Sequence, residues 1–152
     1  MSNPQNETAV RRLFDVLLEQ SNSPSDSELQ QIVTSDWVNN DQAMEGALGY
    51  PLQGYGGARE LHDFWKPFSD TKVTIEDMFS DADWVACHIK VRGKHTGNFL
   101  GTPPTGKSFE MTATCMFRCR DGKVAANIVN PDAMGMLMQL GVIQMPAQRK
   151  AA

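Results

Sequence analysis

The spacing of apolar positions divides the chain into a helical first half and a stranded second half. Val10, Leu13, Phe14 and Leu17 recur at i, i+3, i+4 and i+7, which predicts a first helix over about Glu7 to Gln20. The polar run from Ser21 to Ser27 ends it. Ser25 followed three residues later by Glu28 reads as a capping box for a short second helix carrying Leu29, Ile32 and Val33. Trp37 to Asp41 and a glycine-rich loop from Gly46 to Gly57 follow, without assignable periodicity. Ala58, Leu61, Phe64, Trp65 and Phe68 predict a third helix, disturbed by Pro67.

From Thr71 the period becomes two. Thr71 to Phe79 is rich in β-branched residues, and Ser80 to Asp83 marks a turn. In Trp84 to Arg92 one face carries Val85, Cys87, Ile89 and Val91, and the other His88, Lys90 and Arg92. His95 to Leu100 reads as a further strand, ended by Gly101-Thr102-Pro103-Pro104-Thr105-Gly106. Phe109, Met111, Ala113, Cys115, Phe117 and Cys119 alternate along the next strand, so they share one face. Asp121-Gly122 is a hairpin signal, and Lys123 to Asn130 returns as the last strand. Pro131 stops it, Asp132 caps, and Ala133 to Leu140 forms a terminal helix closed by Gly141. Helices followed by antiparallel strands imply an α+β domain with the helices on one face of a bent sheet. A curved sheet closed by helices has an interior, a common small-molecule site.

At 152 residues, 41% hydrophobic and 21% charged, the chain fits one globular domain over 1–152. An ordered core over about 7–143 and tails at 1–6 and 144–152 are expected. A net charge of −4 with scattered Lys and Arg argues against nucleic acid as a partner; the Arg149-Lys150 pair falls in the tail. No apolar run approaches the roughly 20 residues that span a bilayer. The polar N-terminus lacks the order of a signal peptide, so no membrane partner and cytoplasmic residence are expected. Three cysteines and three histidines lack metal-ligand spacing, and the expectation is no metal. Met111 and Met116 cannot share a face, so only some of the nine methionines can line a pocket.

His95-Thr96-Gly97-Asn98-Phe99-Leu100-Gly101, Pro104-Thr105-Gly106-Lys107, Phe117-Arg118-x-x-Asp121-Gly122-Lys123-Val124, Asp132 and Gln139-Leu140-Gly141 follow one another in an order and spacing that resembles the SnoaL-like polyketide cyclase family. This is the ester cyclase type within the nuclear-transport-factor-2-like superfamily. The earlier half matches more loosely, with Trp37-Val38-Asn39 near the expected place. The resemblance implies a cone-shaped α+β barrel, its curved, mostly antiparallel sheet wrapped on N-terminal helices, with a short C-terminal helix. It implies a homo-oligomer, dimer or tetramer, formed through the open sheet face. It also implies ring closure by intramolecular aldol condensation on polyketide esters, without metal or organic cofactor. By the same resemblance Asp132 matches the acid/base aspartate and Asn39 a site asparagine. The family's glutamine and histidine pair on the penultimate strand is replaced by Ala113 and Cys115, so two groups that would polarise the enolising carbonyl are absent.

The residues leave several readings open. Asp132 is either a desolvated general base or a helix N-cap, and the two roles are compatible. Asn39 binds a carbonyl or orients Asp132, or belongs to a plain Asn39-Asn40-Asp41 turn. His95 fits a structural hydrogen bond; His62 and His88 read as solvated or structural, and either one, turned inward, would replace the missing histidine as general acid. Cys115 lacks an electropositive neighbour in the sequence and reads as apolar lining. Trp37, Asn39, Met111, Ala113, Cys115 and Phe117 are the candidate contacts to a small hydrophobic molecule. A cofactor-independent cyclisation, isomerisation or hydrolysis, a non-catalytic ligand carrier, and a dimerisation module all remain compatible with this fold.

Overall fold

A computed structural model describes residues 1–147, and Arg149-Lys150 with the end of the expected tail lie outside them. Helix α1 (Pro4–Phe14) starts with proline in its first turn, where no amide donor is needed, and Asn3 caps it by accepting from the Asn6 N–H at 3.3 Å. Residues 4–6, expected in a tail, are therefore helical, and Asn6 is buried. The Met1 ammonium reaches Asp81 at 2.8 Å. The helix continues into one π-helical turn (Asp15–Glu19). Glu19 there accepts the Val73 N–H at 2.6 Å and so pins the helix to an edge strand.

The Ser25–Glu28 capping box is present and starts α2 (Asp26–Ile32). The chain then passes directly into β1 (Val33–Asn40), so Val33 belongs to the strand and not to the helix. Asp41 caps α3 (Gln42–Leu48), β2 (Leu52–Gln53) is a two-residue edge strand, and α4 (Gly54–Trp65) follows. The stretch 46–57, without periodicity in the sequence, is thus a succession of short elements. Pro67 ends α4 rather than bending it, and Phe68 opens the next strand.

The remaining strands are β3 (Phe68–Asp81), β4 (Trp84–His95), β5 (Ser108–Arg120) and β6 (Lys123–Pro131), and α5 (Ala133–Gln139) closes the fold. Asp121 and Gly122 both have positive φ, 53° and 71°, as a tight two-residue hairpin requires. The expected strand from His95 to Leu100 does not form. The Thr96 and Gly97 amides instead donate to the Pro67 carbonyl at 3.0 and 2.9 Å, which turns the chain away from the sheet. Leu100 and Gly101, with φ of 49° and 82°, then close a small turn in which Phe99 and Thr102 exchange both backbone bonds.

The sheet order is β2-β1-β6-β5-β4-β3, antiparallel throughout except for β1 and β6, which run parallel. It is a curved α+β sheet of the expected kind but remains open, with β2 and β3 as free edges. The α1 residues Val10, Leu13 and Phe14 with Leu17 fill its concave side against Val85, Ile89, Val91 and the inward face of β5. Every one of Phe109, Met111, Ala113, Cys115, Phe117 and Cys119 is buried, as the alternation predicts, while Met116 is exposed on the opposite face.

Candidate functional site

A cavity of about 170 Å³ lies between the concave sheet face and the helices. Its floor is Ile89, Val91, Met111, Ala113, Cys115 and Phe117 from β4 and β5. α1 and its π turn contribute Leu13, Phe14 and Leu18; α4 contributes Leu61, Phe64 and Trp65. Ala43, Ala47 and Leu100 line it while exposed, so the mouth opens between α3 and the Phe99–Thr102 turn. The volume is close to the roughly 150 Å³ of an apolar cavity that holds benzene, and below the roughly 300–1,000 Å³ of drug-sized pockets.

Three polar side chains line this apolar chamber: Asn39, Asp41 and Asn127. All three are buried. Alternation along β1 carries Trp37, Asn39 and then Asp41 to the inner side, and the parallel register places Asn39 opposite Asn127 of β6. The Trp37 Nε1–H donates to Asn127 Oδ1 at 3.0 Å, and Asn127 Nδ2 donates to Asn39 Oδ1 at 3.2 Å. The Asn39 amide nitrogen faces only the Met44 thioether at 3.7 Å, a weak acceptor. It therefore keeps its donor capacity for a ligand oxygen.

Asp41 is 7% exposed and accepts the Met44 N–H at 3.0 Å as the cap of α3. Burial pushes its carboxyl up from the ordinary 3.8, and the backbone N–H groups of Met44 and Ala43 oppose that rise. A carboxyl with a raised pKa that shares an apolar chamber with a spare amide donor can exchange a proton with a carbonyl compound.

Asp132 stands elsewhere. It is exposed and does not line the cavity; its Oδ1 accepts the Gly135 N–H at 2.9 Å as the cap of α5. Of the two readings open for it, the capping geometry is the one present. The neighbouring Pro131, Ala133, Met136 and Leu137 do reach the cavity wall. Asn39, Met111, Ala113, Cys115 and Phe117 come together as cavity lining, whereas Trp37 is fully buried behind Asn127 and does not line it. The Asn39-Asn40-Asp41 turn is not formed, since the first two residues end a strand and the third caps a helix.

None of the histidines lines the cavity. His62 is buried on α4, its Nε2 bonded to the Gln20 carbonyl at 2.9 Å, and it borders a separate polar cleft between the π turn and β3. His88 lies on the outer sheet face near Thr114. His95 is fully buried; its Nδ1 lies 3.1 Å from Thr105 Oγ1 and accepts the Thr105 N–H at 3.3 Å. Among the described residues no three His, Cys, Asp or Glu side chains gather so as to hold a metal ion, and no helix is long and apolar enough to cross a membrane.

Asp41 and Asn127 were not singled out by the sequence. The period of two through Trp37, Asn39 and Asp41 was the available signal for the first. Asn127 carried none, because its burial depends on a register shift between β5 and β6 at Arg118/Cys119.

Comparison with known proteins gives a consistent picture. A family model described as SnoaL-like polyketide cyclase matches residues 8–140. Nogalonic acid methyl ester cyclase of Streptomyces nogalater is 36% identical over 70 residues, 46% of this chain and 50% of that protein. Aklanonic acid methyl ester cyclase DnrD of Streptomyces peucetius is 36% identical over 58 residues, 38% of this chain and 40% of that protein. The matched region therefore spans half or less of these curated relatives. Among solved structures, IdmH of Streptomyces antibioticus superposes with a TM-score of 0.73 at 31% identity, covering 90% of this chain and 99% of IdmH. TsrD of Streptomyces laurentii superposes with a TM-score of 0.75 at 19% identity, covering 94% and 99%, a likeness of fold alone.

Proposed function

The chain belongs to the SnoaL-like polyketide cyclase family, and from that premise we propose that it performs cofactor-independent acid/base chemistry on a hydrophobic carbonyl compound, with Asp41 as the group that moves the proton. The observation that carries this reading is the buried Asp41 carboxyl in the cavity wall, raised by desolvation, in the same chamber as the spare amide donor of Asn39. Asn39, held by Asn127, binds the carbonyl oxygen. The ionised Asp41 removes a proton from the adjacent carbon, and the enolate charge develops toward the Asn39 N–H. Cyclisation follows where a second carbonyl of the same molecule lies within reach; isomerisation follows where the proton returns to another carbon.

The cavity limits what enters. At about 170 Å³ it accepts the reacting end of a molecule, while the rest projects through the mouth between Ala47 and Leu100. A polyketide methyl ester fits that description, and methyl esters, of nogalonic and aklanonic acid, are what the curated relatives are named for. Ala113 and Cys115 leave the floor apolar beneath the ring. A carrier without catalysis would use the same cavity but would not need a carboxyl buried in it.

The test compares turnover of such esters and simpler cyclic ketones by Asp41→Asn and Asp132→Asn. Asparagine caps a helix about as well as aspartate, so both variants keep their caps. The reading requires a loss of about 10²-fold or more at Asp41, the range of general-base contributions, with little change at Asp132. The opposite pattern restores Asp132 as acid/base, and binding without turnover in the parent protein marks a carrier.

The outer sheet face supports a homodimer. Phe79, Ala86, Met116 and Ile128 are successive register partners across β3, β4, β5 and β6. They form one apolar row, in which Phe79, Met116 and Ile128 are exposed. Trp84 flanks it, with the Arg118 guanidinium 5.8 Å from its ring centre. A second copy seated on this row buries it.

A further inference from the structure

We propose that Cys87 and Cys115 form a reversible disulfide across β4 and β5, which makes the cavity floor sensitive to peroxide. The two residues are direct register partners of an antiparallel pair, and both side chains are inward and buried. Opposed residues in such a pair have Cα atoms about 4.5–5.5 Å apart, inside the roughly 4.4–6.8 Å range of disulfides. Their Cβ atoms, about 4.5–5.5 Å apart in such pairs, need to approach by up to roughly 1 Å to reach the spacing of a bonded pair. A small change of local twist supplies that.

The neighbouring Cys115 thiol and the Arg11 guanidinium hold the Cys87 thiol below the ordinary range, against its burial. Cys87 in turn, its own burial and the charge of Asp41 push Cys115 up. One partner is thus the readier thiolate and the other keeps its proton. Cys115 lines the cavity, so a hydroperoxide little larger than water arrives one side chain from Cys87. The Cys87 sulfur attacks the peroxide: an S–O bond forms, the O–O bond breaks, and an alcohol or water leaves. Cys115 then displaces water from the sulfenic acid. Two thiols and one hydroperoxide yield the disulfide, one alcohol or water, and one further water. The new bond draws the Cys115 sulfur toward β4 and reshapes the floor between Ala113 and Phe117. Cys119 takes no part; burial and Asp83 raise its thiol to about 11, and it sits beyond Phe117.

The test treats the full chain with hydrogen peroxide, then alkylates under denaturing conditions and maps peptides by mass. The expected result is one intrachain bond joining the peptides of Cys87 and Cys115. Three free thiols give way to Cys119 alone, and dithiothreitol restores all three. Cys119→Ser should behave as the parent; Cys87→Ser should form no bond. Unchanged thiols, a bond involving Cys119, a bond between two chains, or sulfinic acid at one cysteine without a disulfide would each overturn the proposal. The mapping is decisive on the unmodified protein, so it does not depend on any variant folding or on the assignment of Asp41.

Discussion

Asn127 Nδ2 donates to Asn39 Oδ1 at 3.2 Å across the single parallel strand pair of the sheet, joining residues 88 positions apart in the chain. The same Asn127 accepts from the Trp37 indole at 3.0 Å, so one amide aligns both groups of β1. This fixes the direction in which Asn39 presents its own N–H. Asn127→Ala would leave the buried Trp37 N–H without a partner, and a loss of about 1–3 kcal/mol in urea unfolding is expected. Asn127→Asp keeps the acceptor for Trp37 but removes the donor to Asn39. It should therefore weaken ligand affinity at pH values where the new carboxylate is ionised.

Asp132 is expected to matter for stability only. Its exposed side chain caps α5 through Gly135, and Asp132→Ala should cost about 1 kcal/mol by the usual value of a cap. Asp132→Asn should cost little. Thermal or urea unfolding of the pair checks this, and equal losses in both would contradict the capping role.

The raised carboxyl of Asp41 makes a definite pH signature. Its folded pKa lies above the ordinary 3.8 because of burial, so between the unfolded and folded values the native chain binds more protons than the unfolded one. Stability then falls as the pH rises through that window, and above it the whole cost of ionising the buried group is present. Asp41→Asn removes the titration but keeps a capping side chain. The urea midpoint of the variant relative to the parent should increase from about pH 4 toward neutrality. A difference that stays flat would contradict the raised pKa.

Met116 sits in the middle of the exposed row Phe79–Ala86–Met116–Ile128 and is 42% exposed in the single chain. Met116→Glu places a charge where the partner copy is proposed to sit. Sedimentation equilibrium should show dimer for the parent and monomer for the variant, with unchanged unfolding of the monomer. A monomeric parent at the same concentration would contradict the pairing.

Much of the frame was legible in the sequence because it rests on local chemistry. The capping box at Ser25, the positive-φ turn at Asp121-Gly122 and the inward set from Phe109 to Cys119 each follow from a few neighbouring residues. The sequence features shared with the SnoaL-like family singled out Asn39, which lines the cavity. What stayed hidden depends on distant contacts. Asp41 looks like a turn residue until β1 pairs in parallel with β6, which encloses it. Asp132 carries the motif position, and its Oδ1 caps the helix that follows. His95 to Leu100 has a strand-like composition, but the Pro67 carbonyl takes the amides that a ladder would need.

Carbon-detected NMR titration of the Asp41 side-chain carboxyl in the free protein tests whether burial in the cavity desolvates it. A midpoint clearly above the ordinary 3.8 that moves when a carbonyl ligand fills the cavity is the predicted result. A midpoint at or below that value, unchanged by ligand, would contradict that desolvation.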